Sequence, residues 1–247
     1  MSLMRTLLQR ALLFFVAIAG CSVWATSTNE GISLSRTRVI FLSSEKAQTV
    51  TMQNHGSRAY LVQSAVIDTP GGRVPAPFMT TPPLFRLEPD SKNMIRILRK
   101  DDTALPTDRE SVFYFTAIAV PATAQPKDDE AAMSARVSVG IQNTIKLFWR
   151  PIGLPIQPEE AEGRLTFEYH NRKVRVSNPT PYYITFSRLT FDGINVNVRD
   201  GVSMIAPFSE VSYPTASGVR QARWSVINDY GGSSQQYTAR VQKGGAS

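Results

Sequence analysis

Val137-Ser138-Val139-Gly140-Ile141-Gln142-Asn143-Thr144-Ile145-Lys146-Leu147-Phe148-Trp149-Arg150 is the stretch on which the fold turns. Val137, Val139, Ile141 and Ile145 take every second place, with Asn143 the one interruption, and Ser138, Gly140, Gln142, Thr144 and Lys146 fill the other face. Alternation of this length predicts one long β-strand over Val137–Arg150. The strand carries a lysine in its regular part, ends in an aromatic-basic run and stops at Pro151. An apolar stripe with a charge beside it suits either sandwich core or an edge that receives another chain.

Outward from this strand, the chain of 247 residues has room for one large or two medium domains. The first 25 residues read as a leader: Arg5 and Arg10 form a basic start, Ala11–Gly20 an apolar run too short to span a bilayer, and Val23-Trp24-Ala25 a small-x-small cleavage pattern. Cleavage near Ala25 gives a soluble exported chain. Ile18-Ala19-Gly20-Cys21 also has lipobox character, which would put a lipid on Cys21 instead. No later segment is long and apolar enough to cross a membrane, so no membrane insertion is expected after cleavage.

Cys21 is the sole cysteine, so the exported chain must hold together by core burial without disulfides. Without Arg5 and Arg10 the balance is 25 basic to 20 acidic residues. Export argues against nucleic acid as the partner of this excess. A surface for a carboxylate-bearing partner, or simple solubility, remains.

Short runs rich in Val, Ile, Phe, Tyr and Thr recur at sandwich spacing: Ile32–Phe41, Gln48–Asn54, Tyr60–Asp68, Asn93–Arg99, Ser111–Val120 and Arg136–Trp149. A second series follows at Arg164–Tyr169, Lys173–Ser177, Tyr183–Phe191, Asn195–Val198, Arg223–Ile227 and Tyr237–Val241. No segment has sustained helical periodicity. The pattern predicts an all-β protein of two sandwiches. The proline-rich stretch after Arg150 places a linker at 151–157, between a domain at 26–150 and one at 158–247.

Enzyme chemistry is thinly represented. His55 falls in a turn and His170 at a strand end, there is no phosphate loop or nucleophile elbow, and the pairs Asp101-Asp102 and Glu159-Glu160 fall in loops. Asp128-Asp129-Glu130 reads as a solvated loop tip, and neither a metal nor another cofactor is expected. Two basic residues inside strands are more informative. Arg38 and Lys146 are each either outward, solvated side chains or, if the fold brings them together, a site for one carboxylate.

Seven blocks carry a resemblance. They are Ser35–Ile40, Tyr60–Gln63, Thr81–Pro89, Leu105–Ser111, Ile145–Pro151, Asn178–Tyr183 and Ile227–Gly231. In this order and across both predicted domains, the chain resembles the periplasmic pilus-assembly chaperones of the chaperone–usher pathway, the PapD-like family. The resemblance implies two immunoglobulin-like sandwiches in an L or boomerang arrangement, and no reaction. It implies a periplasmic protein that binds fimbrial subunits by lending them a strand and delivers them to an outer-membrane usher.

The resemblance also assigns roles. Val137, Val139 and Ile141 match the donated apolar positions, Arg38 and Lys146 the pair that holds the C-terminal carboxylate of the bound subunit, and Glu110, Arg150 and Asp229 an inter-domain charge cluster. Ordinary surface ion pairs, worth about 0–1 kcal/mol, are the competing reading of that cluster. Ile145 is expected in the protein's own core, and one cis X-Pro bond is expected within Thr81-Pro82-Pro83. The exposed strand also offers a route to self-association of the free protein. Two other readings stay open: a two-domain fimbrial subunit or adhesin, which would need a longer N-terminal extension, and a β-sandwich enzyme acting on polysaccharide.

Overall fold

The computed structural model describes residues 31–100, 103–122, 139–198, 201–216 and 218–244. The expected leader with Cys21 and Ala25, the acidic run at Asp128-Asp129-Glu130, the Asp101-Asp102 pair and Val137 lie outside the described residues. Within residues 31–150 the strands are β1 (Ile32–Leu34), β2 (Arg38–Leu42), β3 (Ala47–Asn54), β4 (Tyr60–Ile67), β5 (Phe78–Thr81), β6 (Leu84–Leu87), β7 (Lys92–Arg99), β8 (Ser111–Pro121) and β9 (Ile141–Arg150). A one-turn helix α1 (Pro158–Ala161) then leads into β10 (Thr166–His170), β11 (Lys173–Asn178), β12 (Ile184–Phe191), β13 (Ile194–Asn195), β14 (Met204–Ile205), β15 (Ser209–Pro214), β16 (Gln221–Val226), β17 (Tyr237–Arg240) and β18 (Gln242–Lys243).

The first nine strands make two facing sheets, β1-β3-β7-β5 and β2-β9-β8-β4-β6. The later strands repeat the plan as β15-β11-β10-β18 and β13-β12-β16-β17, with β14 added to β12. Each pair of sheets closes over its own apolar core. The first is filled by Val39, Phe41, Phe115, Leu147 and Trp149, the second by Phe167, Leu189, Ile205 and Trp224. Aromatic rings make close contacts in both: Phe41 and Phe78 lie 5.4 Å apart, Phe167 and Trp224 4.8 Å. Each such buried side chain is worth roughly 1.5–3 kcal/mol, which lets sandwiches of this size stand without disulfides.

Two buried asparagines lock turns in the same way. Asn54 donates to the carbonyls of Arg58 and Glu88 and accepts from Gly56, and Asn178 donates to those of Tyr182 and Ala206 and accepts from Thr180. Within Thr81-Pro82-Pro83 a cis X-Pro bond is present, and it is the Thr81-Pro82 peptide.

Several element expectations need correction. Ile32–Phe41 is not one strand: β1 pairs with β3 in one sheet and β2 with β9 in the other, so the chain crosses between sheets at Ser35–Thr37. The Asn195–Val198 strand is only β13, two residues long, because its pairing with β12 ends at Asn195. Glu159 and Glu160 stand in α1 and not in a loop; Pro158 at its first position and acidic residues in its first turn suit a helix start.

The central strand is also shorter than expected. It starts at Ile141, and Val139 and Gly140 precede it outside any strand. The ladder with β8 ends at Ala119↔Ile141, and beyond it β8 pairs only with β4. Among the described residues, Val139 and Gly140 thus have no ladder partner to hold them extended.

Candidate functional site

Strand β9 has two different halves. Along nearly its whole length it pairs antiparallel with β8, from Trp149↔Ser111 to Ile141↔Ala119. On its other side β2 covers only Lys146–Arg150, in a parallel ladder. Among the described residues, Ile141–Ile145 therefore presents an open edge.

The apolar stripe runs along that open half and out of the core. Trp149 and Leu147 are buried and Ile145 packs against the core. Further out along the same face, Ile141 is 37% exposed and Val139 is 73% exposed. The face that is core at one end of β9 is therefore bare at the other. Buried Asn143 Nδ2, at the middle of this edge, has no hydrogen-bond partner among the described residues. Exposed edges with an apolar face pair readily with another strand.

At the junction of the two halves, Arg38 on β2 stands directly opposite Lys146 on β9. Alternation puts both on the outer face of the sheet, away from Val39 and Leu147, where the second sandwich packs. Arg38 is 8% exposed; its Nη1 donates to the Ile227 carbonyl of the second sandwich at 2.8 Å, and its guanidinium lies 5.5 Å from the Phe148 ring centre. Its Nε is buried without a partner. Among the described residues no carboxylate pairs with either cation. Burial pulls the Arg38 guanidinium below its usual range, with Asp229 and Glu110 offsetting only part of it. Burial, and then the charge of Arg38, pull the Lys146 ammonium down as well. Two partly desolvated cations side by side are chemically suited to an anion, and the guanidinium's planar fork to a carboxylate.

Glu110, Arg150 and Asp229 meet at the far end of β9. Arg150 Nε donates to Glu110 Oε1 at 2.7 Å, and its two terminal nitrogens donate to the Asp229 carboxylate at 2.6 and 2.8 Å. Glu110 Oε2 accepts from the Tyr183 backbone N–H at 2.8 Å, and the Glu110 N–H donates to the Pro181 carbonyl. Arg150 also lies over the Tyr182 ring, and Phe148 meets Tyr183. Glu110 is 3% exposed, which does not fit an ordinary surface ion pair. Burial pushes its carboxyl up despite Arg150. Burial opposes the Arg150 charge too, but the hydrogen bonds to Asp229 and the charge of Glu110 outweigh it, so that guanidinium is raised. The cluster ties the last residue of β9 to the second sandwich.

Sequence alternation alone did not reveal a further surface. On the outer face of the same five-stranded sheet, Leu61 on β4 faces Val120 on β8, and Gln63, between Leu84 and Ile118, extends the patch. Leu61, Leu84, Ile118 and Val120 are all exposed. Each strand holds apolar residues on both faces, a weak signal that becomes a patch only once register aligns them.

Catalytic groupings are scarce. His55 bonds the Ser33 hydroxyl at an exposed turn, and among the described residues no cluster of His, Cys, Asp and Glu could hold a metal. Among the same residues, no helix is long and apolar enough to cross a membrane.

Comparison with known proteins points one way. A family model described as "Pili and flagellar-assembly chaperone, PapD N-terminal domain" matches residues 31–155, and "Pili assembly chaperone PapD, C-terminal domain" matches residues 160–238. The chaperone protein HifB of Haemophilus influenzae is 33% identical over 237 residues, 92% of this chain and 95% of HifB. The Escherichia coli chaperone DraB has a TM-score of 0.72 and 34% identity, covering 86% of this chain and 97% of DraB. A chain in the structure of the Salmonella enterica SafA pilin in complex with the SafB chaperone gives a TM-score of 0.74 and 30% identity. The match covers 86% of this chain and 97% of that one.

Proposed function

The chain belongs to the pilus-assembly chaperones, a family of two-sandwich, immunoglobulin-like proteins that are not enzymes, and from this premise we propose how it works. It binds a fimbrial subunit in the periplasm, after loss of residues 1–25, by adding the open edge of β9 to the subunit's incomplete sandwich. The two sandwiches, divided at residues 151–157, form the cleft in which the C-terminus of that subunit ends.

One observation carries this reading: the apolar stripe leaves its own core at Ile141 and, just before β9, at Val139, while its inner end lies beside two cations that no carboxylate of the described residues pairs. Ile141 and Val139, with Val137 beyond them, fill the subunit's open core, each for roughly 1.5–3 kcal/mol. Arg38 and Lys146 take the C-terminal carboxylate. That anchor sets the register, since a slip of one residue would turn the stripe away from the groove. Glu110, Arg150 and Asp229 hold the angle between the sandwiches and so the shape of the cleft. The patch of Leu61, Leu84, Ile118 and Val120 lies on a face that strand addition at β9 leaves free, and is suited to docking on an outer-membrane usher. Without a subunit, the same β9 edge serves self-association.

Affinity purification from a periplasmic extract, with mass spectrometry of what is retained, tests the reading. A fimbrial subunit in equimolar amount is the expected result; retention of no subunit from fimbriated cells would contradict it.

A further inference from the structure

We infer that Tyr230 is a contact residue for the bound subunit, packing against the last side chains of the segment whose carboxylate Arg38 and Lys146 hold. The inference rests on the proposed function, in which that segment ends in the cleft between the sandwiches.

Tyr230 sits in the turn that follows β16, and the residues around it are tied down. The Ile227 carbonyl accepts from Arg38, and Asp229 is gripped by Arg150. The Asn228 side-chain oxygen accepts from the N–H groups of Tyr230 and Gly232, while the Gly232 carbonyl takes the Asn228 N–H. Gly231 has φ 85°, and a Cβ there would collide with the hydroxyl of Thr37, the residue before Arg38. The turn is thus fixed against the first sandwich at Ile227, Asp229 and Gly231, all within the surroundings of the carboxylate site.

Its side chain does the opposite. Tyr230 is 95% exposed, the most exposed of the large apolar side chains among the described residues. Its ring takes no part in the hydrogen bonds that hold the turn, so the turn's stability does not call for an aromatic there. A rigid turn that displays a ring to solvent is an economical way to build a contact. Tyrosine loses only two rotors on binding and offers a broad amphipathic face.

The geometry also names the occupant. A subunit strand added beside β9 shares its sheet, so its alternate side chains turn to the outer face, the face of Lys146. There they meet the second sandwich's wall, and beside the anchor that wall is the Ile227–Gly231 turn. The turn that carries Tyr230 is joined to Arg38 through Ile227, so the side chains nearest the carboxylate are the ones set beside it.

The chain's one cysteine makes a site-specific test available. In the full chain carrying Cys21→Ser, Tyr230→Cys and, as control, the exposed Ile194→Cys are each labelled with a maleimide, free and in the complex purified with its subunit. Labelling at 230 should slow by about tenfold or more in the complex while labelling at 194 stays unchanged. Tyr230→Ala should speed dissociation of the subunit by about tenfold, and Tyr230→Phe should restore it to within about twofold. Equal labelling at 230 with and without subunit, in a complex that forms, overturns the contact and leaves the chaperone reading intact. Failure of the wild-type chain to retain any subunit overturns that reading and the contact with it.

Discussion

Arg38 and Lys146 stand opposite each other across a parallel strand pair, 108 positions apart in sequence, with no carboxylate of the described chain between them. Both are largely withdrawn from water, which lowers the readiness of each to be charged, and the charge of Arg38 lowers that of Lys146 further. Burial and like charge thus disfavour the charged state of both groups, and on the proposed reading a carboxylate placed between them offsets that cost.

The first consequence concerns stability. Lys146→Met removes one cation and keeps the length and apolar stem of the side chain. The melting temperature of the free protein should rise by about 2–4 °C, the shift that roughly 1 kcal/mol produces in a chain of this size. Subunit retention should vanish in the same variant. Calorimetry of the free protein checks the first and co-purification the second; a lowered melting temperature would show that Lys146 is structurally needed.

A pH dependence follows from the same cation. Lys146 in the fold titrates below the ordinary lysine range because of burial and then Arg38, whereas in the unfolded chain it does not. Between those two points the unfolded chain holds a proton that the fold has released, so the free protein gains stability as pH rises through this window. On the proposed reading subunit binding needs the ammonium, so affinity should fall over the same rise, beginning below the ordinary lysine range. Lys146→Arg cannot lose its charge there and should keep a flat affinity profile, at a lower level set by the bulkier fork. Titrations of both proteins from neutral to alkaline pH decide the matter; parallel profiles would rule Lys146 out as the titrating group.

The charge cluster predicts a geometric effect. In Glu110→Ala/Asp229→Ala, Arg150 is left buried without a partner, a situation that costs about 3–5 kcal/mol. The chain relieves it by opening the two sandwiches apart. Small-angle scattering should report a larger radius of gyration than the wild type, with the β content by circular dichroism unchanged. Identical scattering curves would show that the remaining contacts, among them Phe148 with Tyr183 and Arg38 with the Ile227 carbonyl, set the angle without the cluster.

The outer half of β9 and Val139 just before it should behave as a functional surface and not as core. Val139→Glu and Ile141→Glu fall on exposed positions, so each should change folding stability by no more than about 0.5 kcal/mol. Each should still weaken subunit binding by at least the roughly 1.5–3 kcal/mol that burial of the native side chain supplies. Denaturant melts set beside binding isotherms separate the two effects. Ile145→Glu, further in along the same face, replaces a side chain packed against the core and should unfold the first sandwich.

What the sequence disclosed follows from the range of the interactions involved. The alternation in Val137–Arg150 is local, so the strand, its apolar face and the outward side of Lys146 are legible from residue order. The strand's true start is not, because it depends on where β8 stops offering a ladder at Ala119. The break between β1 and β2 is equally invisible in composition: Ile32–Phe41 is continuous in pattern, and only pairing with two different sheets divides it. The approach of Arg38 to Lys146 came from resemblance, since no local rule pairs strands so far apart. The burial of Glu110 was hidden for a similar reason. It lies just before β8 in a polar stretch, and what covers it, the Pro181–Tyr183 segment, arrives from the second sandwich. The patch of Leu61, Leu84, Ile118 and Val120 needed register across three strands before it existed at all.

The most direct test of the central claim is the level of a fimbrial subunit in cells that express it with wild-type chain, Arg38→Ala or Lys146→Ala. If the two cations hold the subunit's carboxylate, the fimbrial protein should accumulate with the wild type and disappear with either variant, while both variants remain folded and as abundant as the wild type. Undiminished levels with both folded variants would contradict the claim.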